Sequence, residues 1–348
     1  MGLFSFLSGK NITKESTISL LVAFNWQKSV AHRLLLTKFI TPSSTLSFVD
    51  QDYWRIALGE NPLSAITRFQ DEGLLVEPAL DVKVASGFGL TNLKAQLRKR
   101  GLKVSGTKLE LAARLVQFDP DGMQNAFVEQ TFLVCSDLGT KIASQIKSSN
   151  DAEKEQSEQE SFALLGKLSF IDACRRVAQY EAMQAIPRGV NMDWKNYDPA
   201  RDIAILKEIF SGNPKILTRF NCRFTECQTD KLRIPAGMQL LWGELKLGWL
   251  PIELLDVNHE LKPDNDLEMD VETSVRMLLF YAKHRVDLDR YRKLNFVKHI
   301  EILATNDSCE ACKKLSTKRY NLDDVPELPH VHCTNGAGCR CQCLPVTN

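Results

Sequence analysis

The stretch from Leu90 to Leu115, LTNLKAQLRKRGLKVSGTKLELAARL, consists of two leucine-bearing segments joined by a short turn that contains glycine. Side chains four residues apart lie one above the other on a helix, so leucines at that spacing mark a single apolar face. The leucines that follow this spacing are Leu93 with Leu97 and Leu111 with Leu115. The stretch therefore predicts two short helices that pack through their leucines.

The ends of both helices can also be predicted from the sequence. A first helix from about Thr91 to Arg100 would end at Gly101, which adopts the left-handed conformation at little cost. The second helix would begin after Thr107, whose hydroxyl can cap it while the Glu110 carboxylate returns to the Thr107 amide. The residues between the helices would form an extended turn.

The charge of this stretch differs from that of the whole chain. The 348 residues carry 44 Lys and Arg against 43 Asp and Glu, a net charge of +1, which gives no general attraction to polyanions. Between Thr91 and Val116, however, seven basic side chains face one acidic side chain, a local charge of +6. Any nucleic-acid signal in this chain is therefore local.

A basic face of this kind suits the phosphates of duplex DNA, because neutralising phosphates releases condensed counterions. Serine hydroxyls and backbone amides at a helix start add neutral donors to phosphate oxygens. The candidate DNA-binding residues are Lys94, Arg98, Lys99, Arg100, Lys103, Ser105, Gly106 and Lys108.

The stretch resembles a SAP motif, the helix–extended loop–helix module of many DNA- and chromatin-associated proteins. The features that carry the resemblance are the leucine positions, the Gly101-Leu102 turn, Ser105-Gly106 and Lys108, over about 35 of the 348 residues. It implies binding to double-stranded DNA with a preference for shape or A·T content. Some modules of this shape bind proteins instead, so a protein partner stays open.

Six of the ten cysteines fall in the last 40 residues, which favours a metal site over dispersed disulfides. Cys309 and Cys312 have the C-x2-C spacing at which two thiolates share one zinc ion. We expect a closed, structural zinc site, and its best ligand set is Cys309, Cys312, Cys333 and Cys339, with Cys341 or His332 as the substitute. Reduced thiols without metal and disulfides are the alternatives.

The same tail resembles, less specifically, the C-terminal cysteine signature of the phage Mu minor head protein family. The residues that match the order of that signature are Asp307, Cys309, Cys312, Pro329, His332, Cys339, Arg340 and Cys341. The stretch from Cys333 to Gly338 is an insertion relative to it, which puts the ligand set in doubt. The resemblance implies a bacterial or phage origin.

We predict a mainly α, multidomain, cytoplasmic protein without a membrane partner. The expected parts are an N-terminal helical region (1–82), the SAP-like module (83–120), a helical extension (121–146), a polar linker (147–161), a mainly helical domain (162–300) and a cysteine-rich zinc tail (301–348).

Three functions fit the sequence. The first is a non-enzymatic DNA-binding protein. The second is a metal-dependent nuclease or other DNA-processing enzyme, in which His330 and His332 would lie beside the metal. The third is a phage-related scaffold or assembly protein. No Walker A motif, dinucleotide-binding glycine pattern or nucleophile elbow is present, so no catalytic residue is predicted.

Overall fold

The computed structural model describes residues 25–189, 192–218, 230–252 and 269–347. The chain divides into two compact units, Met1–Ile146 and Lys147–Asn348, and the described part of each is mainly helical. Within those residues, no helix is both long enough and apolar enough to cross a membrane.

The first unit combines short helices with a small sheet. Its helices are α1 Val30–Thr37, α2 Leu46–Val49, α3 Asp52–Leu58, α4 Pro62–Asp71, α5 Leu80–Gly87, α6 Leu90–Lys99, α7 Lys108–Phe118 and α8 Pro120–Asn125, preceded by a 3-10 turn at Trp26–Lys28. The strands are β1 Ser43–Ser44, β2 Leu75–Val76 and β3 Phe132–Cys135. The central strand β3 pairs antiparallel with both of the others.

The helical extension expected across 121–146 is interrupted in the structure. Helix α8 ends at Asn125, and β3 follows before the next helix begins at Asp137. The apolar run of β3 buries Phe132 and Leu133. Strand β3 pairs with a neighbouring strand on each edge. These pairings favour an extended backbone here over a helix that continues from α8.

Helix α9 spans Asp137–Gly166, so residues 147–161 form a helix and not the expected linker. Part of this polar segment packs inward in the second unit: Ser157 and Ser161 are fully buried, and Ser157 Oγ accepts a hydrogen bond from Arg176 at 2.7 Å. The buried Glu158 carboxylate also accepts from Lys246 Nζ at 2.6 Å. The polar composition of this segment does not reveal its burial, because these side chains pair with residues distant in sequence.

The second unit places helices around a three-stranded sheet. Its further helices are α10 Phe170–Met183, α11 Ala200–Ser211, α12 Lys215–Thr218, α13 Arg233–Trp242, α14 Val271–Arg292 and α15 Glu310–Leu315, with 3-10 turns at Trp194–Asn196 and Leu247–Trp249. Its strands are β4 Val297–Leu303, β5 Arg319–Asn321 and β6 Gln342–Thr347.

Strand β4 is the centre of a sheet that it forms with the tail. Both β5 and β6 pair antiparallel with β4, and Ile302 lies opposite Cys343. The expected boundary at residue 300 therefore cuts through a strand. The cysteine-rich tail shares one hydrophobic core with α11, α13 and α14.

Candidate nucleic-acid interface and metal site

The first helix of the basic module ends as its sequence predicts. Gly101 has a φ of +69°, and its amide donates to the Arg98 carbonyl at 3.0 Å. The next amide, of Leu102, reaches back to the Leu97 carbonyl at 2.9 Å, which completes a Schellman motif. This cap turns the chain into the connecting loop.

The second helix begins with the predicted capping box. The Glu110 amide donates to Thr107 Oγ1 at 3.3 Å, and the Thr107 amide donates to Glu110 Oε2 at 2.7 Å. Gly106 precedes it with a φ of +125°, and a Cβ at that position would lie 2.5 Å from Glu110 Oε2. Gly106 therefore makes room for the capping carboxylate and exposes its own backbone.

All four leucines of the repeated spacing are fully buried, as predicted. Two elements outside the stretch complete their core: α5 contributes Val84, and the segment after α8 contributes Phe127, whose ring lies 5.6 Å from that of Phe132. Phe127 could not be assigned to this core from sequence, because it lies outside the helices and has no apolar repeat around it. The module is thus continuous with the core of the first unit.

Four basic side chains of the module are exposed: Arg98, Lys99, Lys103 and Lys108. None of them forms an ion pair with any side chain in the described ranges, so their charges are available to an outside partner. Lys94 is half-buried. The neutral candidates Ser105 and Gly106 are exposed beside the second helix.

Arg100 has a different environment from the other candidates. Its Nη2 donates to Asp119 Oδ2 at 2.8 Å, and its Nη1 donates to Gln96 Oε1 at 2.6 Å. The Arg100 guanidinium and the Gly122 amide hold the pKa of the Asp119 carboxyl below its usual range. Arg114 likewise turns inward and donates to the Lys103 carbonyl at 2.6 Å. Arg114 therefore links α7 to the connecting loop, and Arg100 links the end of α6 to Asp119, which follows the C-terminal end of α7.

In the tail, five of the six cysteines meet in one cluster. The sulfur atoms of Cys309, Cys312 and Cys333 lie within 4.8 Å of one another, and so do those of Cys312, Cys339 and Cys341. Cys309 immediately precedes α15 and Cys312 lies in its first turn, which directs both thiols to the same side. All four residues of the best predicted set, and the cysteine named as a substitute, are in this cluster.

The spacing of the sulfurs fits a tetrahedral metal site. Cys309 Sγ lies 3.8 Å from Cys333 Sγ, and Cys312 Sγ lies 3.8 Å from Cys339 Sγ. Tetrahedral bonds of about 2.3 Å from zinc to sulfur separate neighbouring sulfurs by about 3.8 Å, whereas a disulfide bond is about 2.05 Å long. The thiols are free, and their arrangement fits a metal ion that takes soft ligands.

The electrostatics of the cluster lower the pKa of two of its thiols, Cys309 and Cys339, and raise the pKa of the other three. Burial raises the pKa of the Cys309 thiol, but hydrogen bonds from the backbone amides of Thr334 and Cys312 outweigh it and lower that pKa to about 7. Contacts with Cys312 and Cys333 lower the pKa of the Cys339 thiol. A metal cation binds thiolates and not thiols, so metal binding here would release protons from the three thiols whose pKa is raised.

The remaining candidate ligands lie elsewhere. His332 is exposed, lies outside both cysteine triads, and its ring stacks edge-on against His330 with centroids 5.4 Å apart. Cys343 is buried on β6, also outside the triads. Asp307 and Arg340, both part of the tail signature, form an ion pair beside the cluster.

Residues 91–120 match the family model of the SAP domain. The match covers α6, the connecting turn and α7, and it ends as α8 begins. No curated protein and no solved structure matches the chain. The likeness of the tail to the phage Mu minor head protein family rests on residue order alone.

Proposed function

We propose that this protein binds double-stranded DNA through its SAP domain and that a structural zinc ion holds its cysteine-rich tail. The observation that carries the first part is the set of four exposed basic side chains without an ion-pair partner among the described residues. Arg98 and Lys99 follow one another at the end of α6, Lys103 lies in the turn, and Lys108 begins α7. Under this proposal the phosphate backbone of one duplex contacts the C-terminal end of α6 and the N-terminal end of α7.

Two features refine the predicted contact set. Arg100 is engaged by Asp119, so it supports the loop and contributes less to the phosphate contact. Ser105 and Gly106 precede the N-terminal end of α7, where amides and the helix dipole favour an anion. The proposed interface therefore consists of Arg98, Lys99, Lys103 and Lys108, with neutral donors between them.

The metal supports the fold and takes no part in chemistry under this proposal. Within the described residues, every group of three or more side chains able to share a metal consists of cysteines. Four thiolate ligands would close the coordination sphere, whereas catalytic zinc keeps an open position. This arrangement favours the binding protein over the nuclease.

Fluorescence anisotropy with labelled duplex DNA tests the interface. We expect Arg98→Glu with Lys99→Glu to weaken binding by about a hundredfold or more, because two charge-assisted phosphate contacts become repulsive. The matched control is Lys141→Glu with Lys167→Glu, two exposed lysines outside the module whose reversal changes the net charge equally. If both double variants weaken binding to the same extent, net charge and not the SAP domain accounts for it.

A further inference from the structure

A cavity of about 540 Å³ lies in the second unit between α14 and the segment that leads into β6. Its volume is within the range of small-molecule sites. Helix α14 contributes Phe280, Lys283, His284, Asp287 and Tyr291 to the wall, and the opposite side includes Thr305, Arg340 and Gln342. The cavity thus combines two aromatic rings with several polar groups.

Lys283 is the charge in this wall that lacks a counter-ion. It is half-buried, and it forms no hydrogen bond or ion pair through its ammonium group with any described residue. Burial lowers the pKa of Lys283, and the nearby Arg201 lowers it further. An ammonium group in this position is stabilised by any anion that enters the cavity.

The two carboxylates that face Lys283 are already engaged. Asp287 accepts two hydrogen bonds from Arg201 Nη2, both at 3.1 Å, and lies 3.8 Å from Arg290. Asp202 accepts a hydrogen bond from the Tyr197 hydroxyl. Neither is held by Lys283, so the lysine remains able to pair with a ligand.

The neighbouring histidine is held in one orientation. His284 Nε2 lies 3.0 Å from the Cys341 carbonyl, an acceptor, so this nitrogen carries the proton. In the neutral ring the other nitrogen, Nδ1, then accepts a hydrogen bond. A ligand hydroxyl could therefore donate to His284 while its anionic group pairs with Lys283.

We propose that this cavity binds a phosphate-bearing small molecule of mononucleotide size. The Lys283 ammonium would pair with the phosphate, Gln342 would add a neutral hydrogen bond, and Phe280 and Tyr291 would contact the base. Lysine binds phosphate as a compact point charge, and aromatic rings stack on any base. The proposal does not depend on DNA binding by the first unit, because every residue that it uses belongs to the second.

Isothermal titration calorimetry of the full chain tests this site with adenosine monophosphate, adenosine and inorganic phosphate as separate probes. We expect saturable, one-to-one binding of the monophosphate with a Kd below about 1 mM, and weaker binding of both fragments. Lys283→Gln should weaken it by about tenfold or more, since a charge-assisted contact is lost. Lys283→Arg, which keeps the charge, should restore part of the affinity.

The matched control is Lys293→Gln, an exposed lysine that follows the end of α14 and does not line the cavity. The same preparations are checked for unchanged metal content and unfolding temperature, so a misfolded variant is recognised. The proposal is overturned if the monophosphate shows no saturable binding, if adenosine or phosphate alone binds equally well, or if Lys283→Gln and Lys293→Gln behave alike.

Discussion

The sulfur of Cys312 lies 3.8 Å from that of Cys339, and Cys312 is the one cysteine common to both thiol triads of the described tail. A tetrahedral ion needs four of the five clustered thiols. Cys312 Sγ therefore lies within 4.8 Å of the sulfur of each of the other four cysteines, which makes Cys312 the central thiol of the cluster.

Replacing Cys312 should remove more metal than replacing Cys343, the tail cysteine that lies outside both triads. We expect Cys312→Ser to bind less than half an equivalent of zinc, whereas Cys343→Ser, buried nearby but outside the triads, should keep one equivalent. Elemental analysis of the purified variants measures both. Equal zinc content in the two variants would contradict the shared-ligand assignment.

Removing the metal should destabilise the second unit, because the clustered cysteines are part of its hydrophobic core. A ligand present at a thousandfold its Kd stabilises the folded state by about 4 kcal/mol. A strong chelator should therefore lower the unfolding temperature of the wild type in a calorimetric scan. The scan of Cys312→Ser should respond little to the chelator, and an equally large response there would place the stabilising metal elsewhere.

The Arg100–Asp119 pair should make the stability of the SAP domain sensitive to acid. The pKa of Asp119 is lowered from 3.8 in the folded state, so its contribution is present above that value and is lost as the pH falls through the lowered pKa. Between neutral pH and acid, the unfolding temperature should fall further in the wild type than in Asp119→Asn. Parallel pH curves for the two proteins would show that the pair contributes nothing to stability.

The left-handed glycine at the end of α6 should resist substitution. Gly101→Ala is expected to cost about 1–2 kcal/mol, because a Cβ disfavours the observed φ of +69° even though no neighbouring atom obstructs it. Gly248→Ala, at a position with equal space and no positive φ, is the control. Chemical denaturation followed by circular dichroism compares them, and a loss of similar size in both would exclude backbone strain as the cause.

Local patterns in the sequence were sufficient to predict the SAP domain, because its two helices are specified by short-range features. Leucines four residues apart, a glycine cap and a threonine–glutamate capping box all lie within 26 residues and agree with one another. The cysteine cluster could be predicted for the same reason: C-x2-C spacing and a second group of cysteines are visible without knowing the fold.

The parts that could not be predicted depend on contacts between residues far apart in sequence. Residues 147–161 have the composition of a linker, but Ser157 is buried against Arg176, and Glu158 against Lys246. The helical signal in this segment was the four-residue spacing of opposite charges, such as Lys147 and Asp151. The cavity of the second unit could not be predicted from the sequence either. Lys283 and Gln342 line the same cavity only because β6 pairs with β4.

The most direct test of DNA binding by the SAP domain is the salt dependence of the affinity of the full chain for duplex DNA. If four basic side chains neutralise four phosphates, the slope of log K against log salt should be about −3.6. In Lys108→Gln that slope should become shallower by about one, while Lys141→Gln leaves it unchanged. A slope near zero, or one that Lys108→Gln does not alter, would contradict the phosphate-binding role of this face.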